Sequence, residues 1–260
     1  MAVLNSPASG RSTSEHRATT RRWVVASCPL DEIMDQMALQ PDPAEQASLI
    51  STLRFVNTVM GAFVRSESGP PPDVPVGPAI YAANHRSLAD LLLAAIAFHS
   101  WGRPIRPLVA SAYFRKPGIG PVLGRLRCIP VDGSEALELA AAEIEAGWSV
   151  AIMPEGRVVP VEEWSVDGVG QLRSGVGRLA LETGLPVVAI GASGTEAFWP
   201  RGSTVPRIRP WRRYPLALRH EVLGVITGDS PREATDVVRA ALVRCVDRAD
   251  TATEMMRRRR

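Results

Sequence analysis

Lysine is almost missing from this chain of 260 residues: Lys116 is the one lysine among 30 basic residues, and all the others are arginine. So uniform a preference is typical of a genomic codon bias. The net charge of +3 is small for a chain of this length. Neither the arginine content nor the charge therefore indicates a nucleic-acid partner, and we expect none.

Cysteine and long hydrophobic runs are scarce as well. Cys28, Cys128 and Cys245 lie far apart, without a Cys-x-x-Cys pair or neighbouring histidines. This spacing argues against a disulfide framework and a metal site, and it favours a reducing compartment. The longest apolar run, residues 91–98, is far shorter than the roughly 18 residues of a membrane-spanning helix. We therefore expect a cytoplasmic protein without such a helix.

The first thirty residues are rich in arginine, serine and threonine and contain a single acid, Glu15. They lack the apolar core of a secretory signal. The same composition is compatible with an organellar transit peptide and with a solvated tail. We predict a disordered tail over residues 1–43.

Short apolar runs alternate with helical patterns along the rest of the chain, which predicts an α/β fold with a mostly parallel sheet flanked by helices. In residues 44–65 the apolar side chains recur every three or four positions, which predicts an amphipathic helix. Strands are predicted at 76–83, 105–110, 128–131, 149–153 and 187–190, and further helices at 88–98, 134–146, 175–183 and 231–247. The predicted organisation is a tail (1–43), the helix with a Pro-rich linker (44–72), one large domain (73–250) and a basic tail (251–260).

A histidine and an acid follow the first predicted strand of the large domain, in the order Asn84-His85-x4-Asp90. Side chains at the carboxyl ends of parallel strands face the crevice in which such folds bind ligands. A histidine whose second ring nitrogen donates to a carboxylate can remove a proton from a hydroxyl. The spacing is equally compatible with a helix cap formed by Ser87 and Asp90, which would leave His85 as an ordinary loop residue.

A second polar motif, Pro154-Glu155-Gly156-Arg157, follows the predicted strand at 149–153. A turn of this composition exposes its glutamate and lets a ligand approach the glycine backbone. The alternative is a surface turn in which Glu155 and Arg157 form an ion pair. The motif by itself does not decide between the two.

Taken together and in order, these blocks resemble those of the glycerophospholipid acyltransferases of the lysophosphatidate acyltransferase type. The Asn84 to Asp90 motif is similar to the first block of that family, Pro154-Glu155-Gly156 to the third and residues 185–191 to the fourth. Residues 114–132 resemble a diverged second block. The resemblance covers about residues 75–225 and implies a glycerol-3-phosphate acyltransferase-like fold.

The resemblance implies transfer of a fatty acyl group from acyl-CoA or acyl-carrier protein to a hydroxyl of a lysophospholipid or related glycerolipid. It makes His85 the general base and Asp90 its partner, so that no serine or cysteine nucleophile is required. By the same resemblance Asn84 supports the histidine loop, and Glu155 and Gly156 shape the acceptor site. The acyl thioester is then a co-substrate, and no cofactor or metal is expected.

The sequence also departs from the family pattern at two places associated with the acceptor's phosphate. Gly133 follows the Val-Asp of the second block where the family carries arginine, and Arg157-Val158 stand where it carries Thr-Arg. Arg157 and Arg173 are candidates to bind the acceptor instead, because a guanidinium group recognises phosphate with two hydrogen bonds. Solvation at the surface is the alternative for each of them.

Residues 197–220 contain six arginines and no acid, together with Trp199, Trp211 and Tyr214. Arginine attracts anionic headgroups and indole rings favour the interface, so this segment predicts contact with an anionic membrane surface and peripheral association. Nucleic-acid binding by aromatic stacking and a solvated loop are the alternatives, and we favour the membrane over nucleic acid. The amphipathic helix at 44–65 could lie on a membrane or cover the sheet, and we favour the sheet.

Two other functions are compatible with the same residues. In a thioesterase or esterase, His85 would activate water instead of an alcohol. In a catalytically silent lipid-binding protein, the motifs would persist without recognition of the acceptor.

Overall fold

The computed structural model describes residues 41–164, 167–209 and 211–259, except for the side chain of Ser134. Over these residues the chain forms an α/β fold, and fourteen helices and strands can be numbered in chain order. They are α1 (Pro43–Met60), β1 (Val64–Glu67), β2 (Ile80–Ala83), α2 (Asp90–Ser100), β3 (Ile105–Ala110), α3 (Ile119–Arg125), β4 (Ile129–Val131), α4 (Ala136–Glu145), β5 (Ser149–Ile152), α5 (Gly175–Thr183), β6 (Pro186–Ser193), α6 (Thr195–Phe198), β7 (Tyr214–Val225) and α7 (Pro231–Arg258).

The strands form one sheet in the order β1-β7-β6-β2-β5-β3-β4. Neighbouring strands are parallel except for β6 and β7, which pair antiparallel over Pro186 to Ser193. The mostly parallel sheet that the sequence predicts is therefore confirmed. Strand β2 lies in the middle, between β6 and β5. Because the three strands are parallel, their carboxyl ends lie side by side at one end of the sheet.

Helices cover both faces of the sheet, and alternate strand residues point to different cores. On β2, Tyr81 packs with α1 and α2, whereas Ile80 and Ala82 face α5 and α7. The buried stripe of α1 is made of Leu49, Leu53, Val56 and Met60. This helix therefore covers the sheet, which is the alternative that the sequence analysis favours.

The last helix, α7, lies directly against β6. A β-carbon on Gly191 would stand 2.2 Å from the carbonyl carbon of Cys245, so only glycine fits at this crossing. The thiol of Cys245 donates to the carbonyl oxygen of Ala189 at 3.6 Å, and burial raises its pKa. Such close approach fixes the position of α7 relative to the central strands.

Several predicted boundaries differ from the observed ones. The helix predicted at 44–65 ends at Met60, and the short strand β1 follows it. The strand β7 occupies part of the arginine-rich segment and is not among the predicted strands. Residues 251–258, assigned to a basic tail, continue α7 and bury Ala252, Thr253 and Met256. The predicted N-terminal tail, apart from its last residues, and Cys28 lie outside the described residues.

Candidate active site

The polar motifs of the sequence meet at the carboxyl ends of β2, β5 and β6. Asn84 and His85 follow β2, Glu155 follows β5, and Thr195 follows β6. Because β2 is paired with both other strands, these ends are adjacent. The structure therefore brings together most of the predicted site residues, in the crevice where such sheets bind ligands.

His85 and Asp90 form a hydrogen-bonded pair. The Nδ1 atom of His85 lies 3.0 Å from Oδ2 of Asp90. A carboxylate only accepts hydrogen bonds, so Nδ1 carries the proton, and in the neutral imidazole this tautomer has its lone pair on Nε2. The imidazole is 17% exposed and Asp90 is 2% exposed, which leaves the ring within reach of a ligand and its partner shielded from water.

The carboxylate of Asp90 is held by three further donors. The backbone N–H groups of Arg86 and Ser87 donate to Oδ2, each at 2.8 Å, and the hydroxyl of Thr195 donates to Oδ1. Hydrogen bonds to an ionised acceptor fix its orientation strongly. The helix α2 begins at Asp90 with Ala89 as its N-cap, and Ser87 and Asp90 still make the reciprocal hydrogen bonds of the cap considered from the sequence. The Ser87 hydroxyl accepts the N–H of Ala89 at 3.0 Å, while Asp90 accepts the N–H of Ser87. The same hydroxyl donates to the carbonyl oxygen of Trp199 at 2.7 Å.

Asn84 extends the pairing of β2 with β6 by means of its side chain. Its amide donates to the carbonyl oxygen of Ala192 at 3.1 Å, and its carbonyl oxygen accepts the N–H of the same residue at 2.7 Å. The side chain is fully buried. Asn84 thus fixes the start of the histidine loop, a supporting position that agrees with the one implied by the resemblance.

Glu155 is buried and binds backbone groups of two loops. One carboxylate oxygen accepts the N–H of His85, and the other accepts the N–H of Gly170 at 2.7 Å. Burial raises the pKa of Glu155, and the two N–H groups oppose that rise in part. The carboxylate therefore holds the histidine loop, and any influence of Glu155 on the acceptor site would act through the position of that loop.

The neighbours of Glu155 have different surroundings. Gly156 adopts a left-handed conformation, with a φ of 69°, and the side chain of Arg173 crosses its α-carbon. Arg173 is exposed beside this turn. Arg157 forms a two-pronged ion pair with Glu163 at the surface, which is a surface pairing as considered from the sequence but with a different acid.

Thr195 and Glu196 are site residues that the sequence analysis does not single out. Burial raises the pKa of the Glu196 carboxyl, while the charge of Arg86 opposes that rise. A cleft of about 750 Å³ is lined by Glu196, Arg86 and residues of α7, but not by His85. The signal that could have pointed to these residues is the Gly194-Thr195-Glu196 run, which begins four residues after the strand predicted at 187–190.

The arginine-rich segment divides into an exposed part and a buried part. Trp211 is 97% exposed, and Val205 and Ile208 are exposed as well. Tyr214, in contrast, is buried at the start of β7, and Trp199 is half-buried and donates from its indole to Ser203. Of the three aromatic residues predicted to meet a membrane, Trp211 alone projects fully into solvent.

Two classes of feature are absent from the described part of the chain. Its helices are all too short or too polar to cross a membrane. No three of its His, Cys, Asp or Glu side chains come together as metal ligands.

Comparisons with known proteins confirm the resemblance stated from the sequence blocks. A family model described as Acyltransferase matches residues 66–193. The chloroplastic 1-acyl-sn-glycerol-3-phosphate acyltransferase BAT2 of Brassica napus is 28% identical over 133 residues, which are 48% of this chain and 36% of that protein. This chain thus matches about a third of the length of that relative.

A solved structure is similar over most of the chain. The crystal structure of the 1-acyl-sn-glycerophosphate (LPA) acyltransferase PlsC from Thermotoga maritima superposes with a TM-score of 0.58 at 20% identity. The match covers 84% of this chain and 87% of the other. At this identity the likeness establishes the fold, and the activity rests on other observations.

Proposed function

We propose that this protein, whose residues 66–193 match a family model described as Acyltransferase, transfers a fatty acyl group from a thioester to the hydroxyl of a lysophospholipid or related glycerolipid. The observation that carries the proposal is the His85–Asp90 pair at the end of β2. The pair lies within the matched residues, and its tautomer leaves a basic nitrogen available to an alcohol.

In this mechanism His85 acts as the general base. Its Nε2 takes the proton of the acceptor hydroxyl as the oxygen attacks the thioester carbonyl. Asp90 stabilises the imidazolium that forms, because its carboxylate accepts the Nδ1 proton throughout. The carbon–sulfur bond then breaks, the new ester is released, and the imidazolium returns the proton to the departing thiolate. The donor thioester, acyl-CoA or acyl-carrier protein, is a co-substrate, and the steps need no other cofactor.

Two arginines near the Glu155 turn are candidates to recognise a phosphate on the acceptor. Arg157 is engaged by Glu163, whereas Arg173 is exposed next to Gly156 and near the Glu155 turn. We therefore assign phosphate recognition, where the acceptor carries phosphate, to Arg173 rather than Arg157. A guanidinium group in this place can bind a phosphate with two parallel hydrogen bonds.

The experiment uses the purified full chain with labelled acyl-CoA and a pair of acceptors, lysophosphatidate and monoacylglycerol. We expect labelled diacyl product, and His85→Ala should reduce its formation by about 100-fold or more. His99→Ala, at the far end of α2, is the matched control and should retain normal turnover. A folded His85→Ala protein with substantial turnover would remove His85 from the mechanism.

The products separate the proposal from its alternatives. Free fatty acid in place of acylated acceptor would identify a thioesterase and overturn acyl transfer. Binding of lipid without turnover, with several acyl donors, would identify a lipid-binding protein. Loss of turnover on lysophosphatidate alone in Arg173→Gln would support the assignment of phosphate recognition, and an equal effect on both acceptors would contradict it.

We also propose that the exposed loop at 200–209 and 211–213 contacts an anionic membrane surface. Trp211, Ile208 and Val205 project from it among exposed arginines. The loop starts beside the site, since the carbonyl oxygen of Trp199 accepts the Ser87 hydroxyl. Docking through this loop would therefore bring the histidine loop to the headgroups, where a lysolipid acceptor resides.

Vesicle binding tests this surface. Replacing Arg207, Arg209 and Arg212 by glutamine should weaken binding to vesicles with anionic lipid on the order of 100-fold at low salt, because each basic residue contributes about 1 kcal/mol near such a surface. The matched control replaces Arg178, Arg232 and Arg244, which are exposed on α5 and α7. Equal binding by both triple variants, or binding that does not respond to salt, would contradict the proposal.

A further inference from the structure

Arg86, the residue after the catalytic histidine, is an almost fully buried cation. Its side chain is 3% exposed and lies against the ring of Trp164, with the guanidinium carbon 4.0 Å from the ring centroid. It donates to the carbonyl oxygen of Gly168 from Nε at 3.3 Å and from Nη2 at 3.0 Å. A buried guanidinium group requires such partners, because its charge has lost the solvation of water.

The anionic partner of Arg86 comes from α7, more than 160 positions along the chain. Asp250 accepts from Nη1 at 2.7 Å and from Nη2 at 3.1 Å, which is the two-pronged geometry of a strong guanidinium–carboxylate pair. The same carboxylate accepts the hydroxyl of Ser193 at 2.6 Å. One side chain of the last helix thus binds residues at the ends of two central strands.

These contacts form a closed ring of residues, linked along the chain and by hydrogen bonds, that includes His85 and Asp90. Arg86 is bonded to His85 along the chain, and Ser193 lies two residues before Thr195, whose hydroxyl donates to Asp90. Asp250 therefore connects the loop that carries the general base with the loop that orients its carboxylate. The ring consists of His85, Asp90, Thr195, Ser193, Asp250 and Arg86, in that order.

We propose that Asp250, acting through Arg86 and Ser193, is a positioning residue for acyl transfer: it sets the placement of His85 relative to Asp90 without touching the substrate. This inference rests on the function proposed above. Asp250 lies outside residues 66–193, so the family match does not include it. A misplacement of the base by about 1 Å can reduce turnover as much as 100-fold, so a remote carboxylate can control the rate.

The test compares Asp250→Asn with Asp247→Asn, a matched change of charge at another exposed acid of the same helix. Both acids line the cleft described above, and only Asp250 makes these hydrogen bonds. We expect Asp250→Asn to lower kcat about ten-fold or more, with KM nearly unchanged, because the base is displaced and the binding surface is not. Asp247→Asn should behave like the unaltered protein. Unchanged kcat per folded molecule in Asp250→Asn would overturn the proposal, even if the variant were less heat-stable.

Amide hydrogen exchange supplies a second readout that does not depend on activity. In Asp250→Asn, the amides of residues 84–90 and 193–195 should exchange faster than in Asp247→Asn, while those of β3 and β4 remain protected. Protection of 84–90 identical to that of the unaltered protein would overturn the proposal. Should Asp250→Asn fail to fold, Ser193→Ala removes one hydrogen bond of the ring and should lower kcat in the same direction, and normal kcat there would be equally decisive.

The failure of this inference can be told from the failure of the proposed function. If His85→Ala retained turnover, the assignment of the base would be lost, whatever Asp250 does. If His85→Ala were inactive while Asp250→Asn showed normal kcat and normal exchange, the base would stand and the positioning role alone would be lost.

Discussion

The carboxylate of Glu155, on the loop after β5, accepts the backbone N–H of His85, on the loop after β2. Its second oxygen accepts the N–H of Gly170. Glu155 thus acts from a buried position, by holding the backbone of His85. The base that we propose is consequently fixed at its main chain by Glu155 and at its imidazole by Asp90.

Glu155→Gln should therefore impair both stability and turnover. An amide can accept at only one of its two ends, so one buried N–H group loses its partner. We expect the free energy of unfolding to fall by about 2 kcal/mol. Turnover should fall about ten-fold because the histidine loop shifts. Denaturant unfolding and steady-state kinetics measure the two effects, and Glu163→Gln, at the exposed partner of Arg157, should show neither.

Asp90→Asn should lower kcat far more than Thr195→Val, which removes a hydroxyl that donates to Asp90. An amide in this place disturbs the histidine tautomer, and we expect kcat to fall on the order of 1,000-fold. Thr195→Val removes one hydrogen bond to Asp90 and should reduce kcat only about five-fold. Thr58→Val, on the exposed side of α1, serves as the control. Equal losses for Asp90→Asn and Thr195→Val would show that the carboxylate does not act through the imidazole.

Glu196 should make the stability of the protein depend on pH. Burial raises its pKa in the folded state, so the folded protein binds this proton more tightly than the unfolded chain does. The free energy of unfolding should therefore fall as the pH rises from about 4.3, the ordinary glutamate pKa, through the raised value. Glu196→Gln should be more stable than the unaltered protein at neutral pH, and should lose that advantage in acid. Thermal unfolding across this range measures the effect, and a Gln variant that is less stable at neutral pH would contradict it.

Gly191→Ala should be strongly destabilising, because its β-carbon would overlap the backbone of α7 at Cys245 and Val246. We expect a loss of about 3 kcal/mol or more in the free energy of unfolding. Gly124→Ala in α3 is the matched control, since no atom lies within 4 Å of the new β-carbon. Alanine favours a helix over glycine, so this control should gain about 0.5 kcal/mol. Similar unfolding midpoints for both variants would show that α7 does not press on β6.

The sequence predicts the parallel strands of the central sheet because each is a short apolar run between helical patterns. The predicted bounds of β3 and β5 agree with the structure to within one residue, and both predicted ends of α5 agree with it. Strand β1 escaped because only Val64 is buried in it, so the four residues show no alternation. The sequence does not predict strand β7, because its apolar start lies directly after a cluster of exposed arginines that indicates a surface segment.

The sequence predicts the candidate site only where its residues are close together along the chain. His85 and Asp90 lie five positions apart, so their spacing indicates a pair. The role of Glu155 depends on which backbone it meets, and no pattern in its own motif specifies His85 or Gly170. The contribution of Asp250 is still harder to predict from sequence, because its contact with Arg86 forms only when α7 packs on β6.

The packing of α7 also determines how the molecule can be divided. The stretch matched by the family model ends at residue 193, yet one face of β6 is covered by α7, a helix that starts at Pro231. A fragment trimmed to the recognised stretch would expose Val187, Ala189 and Gly191 to water and leave the guanidinium of Arg86 without its counter-ion. We therefore expect residues 66–193 expressed alone to be insoluble and inactive.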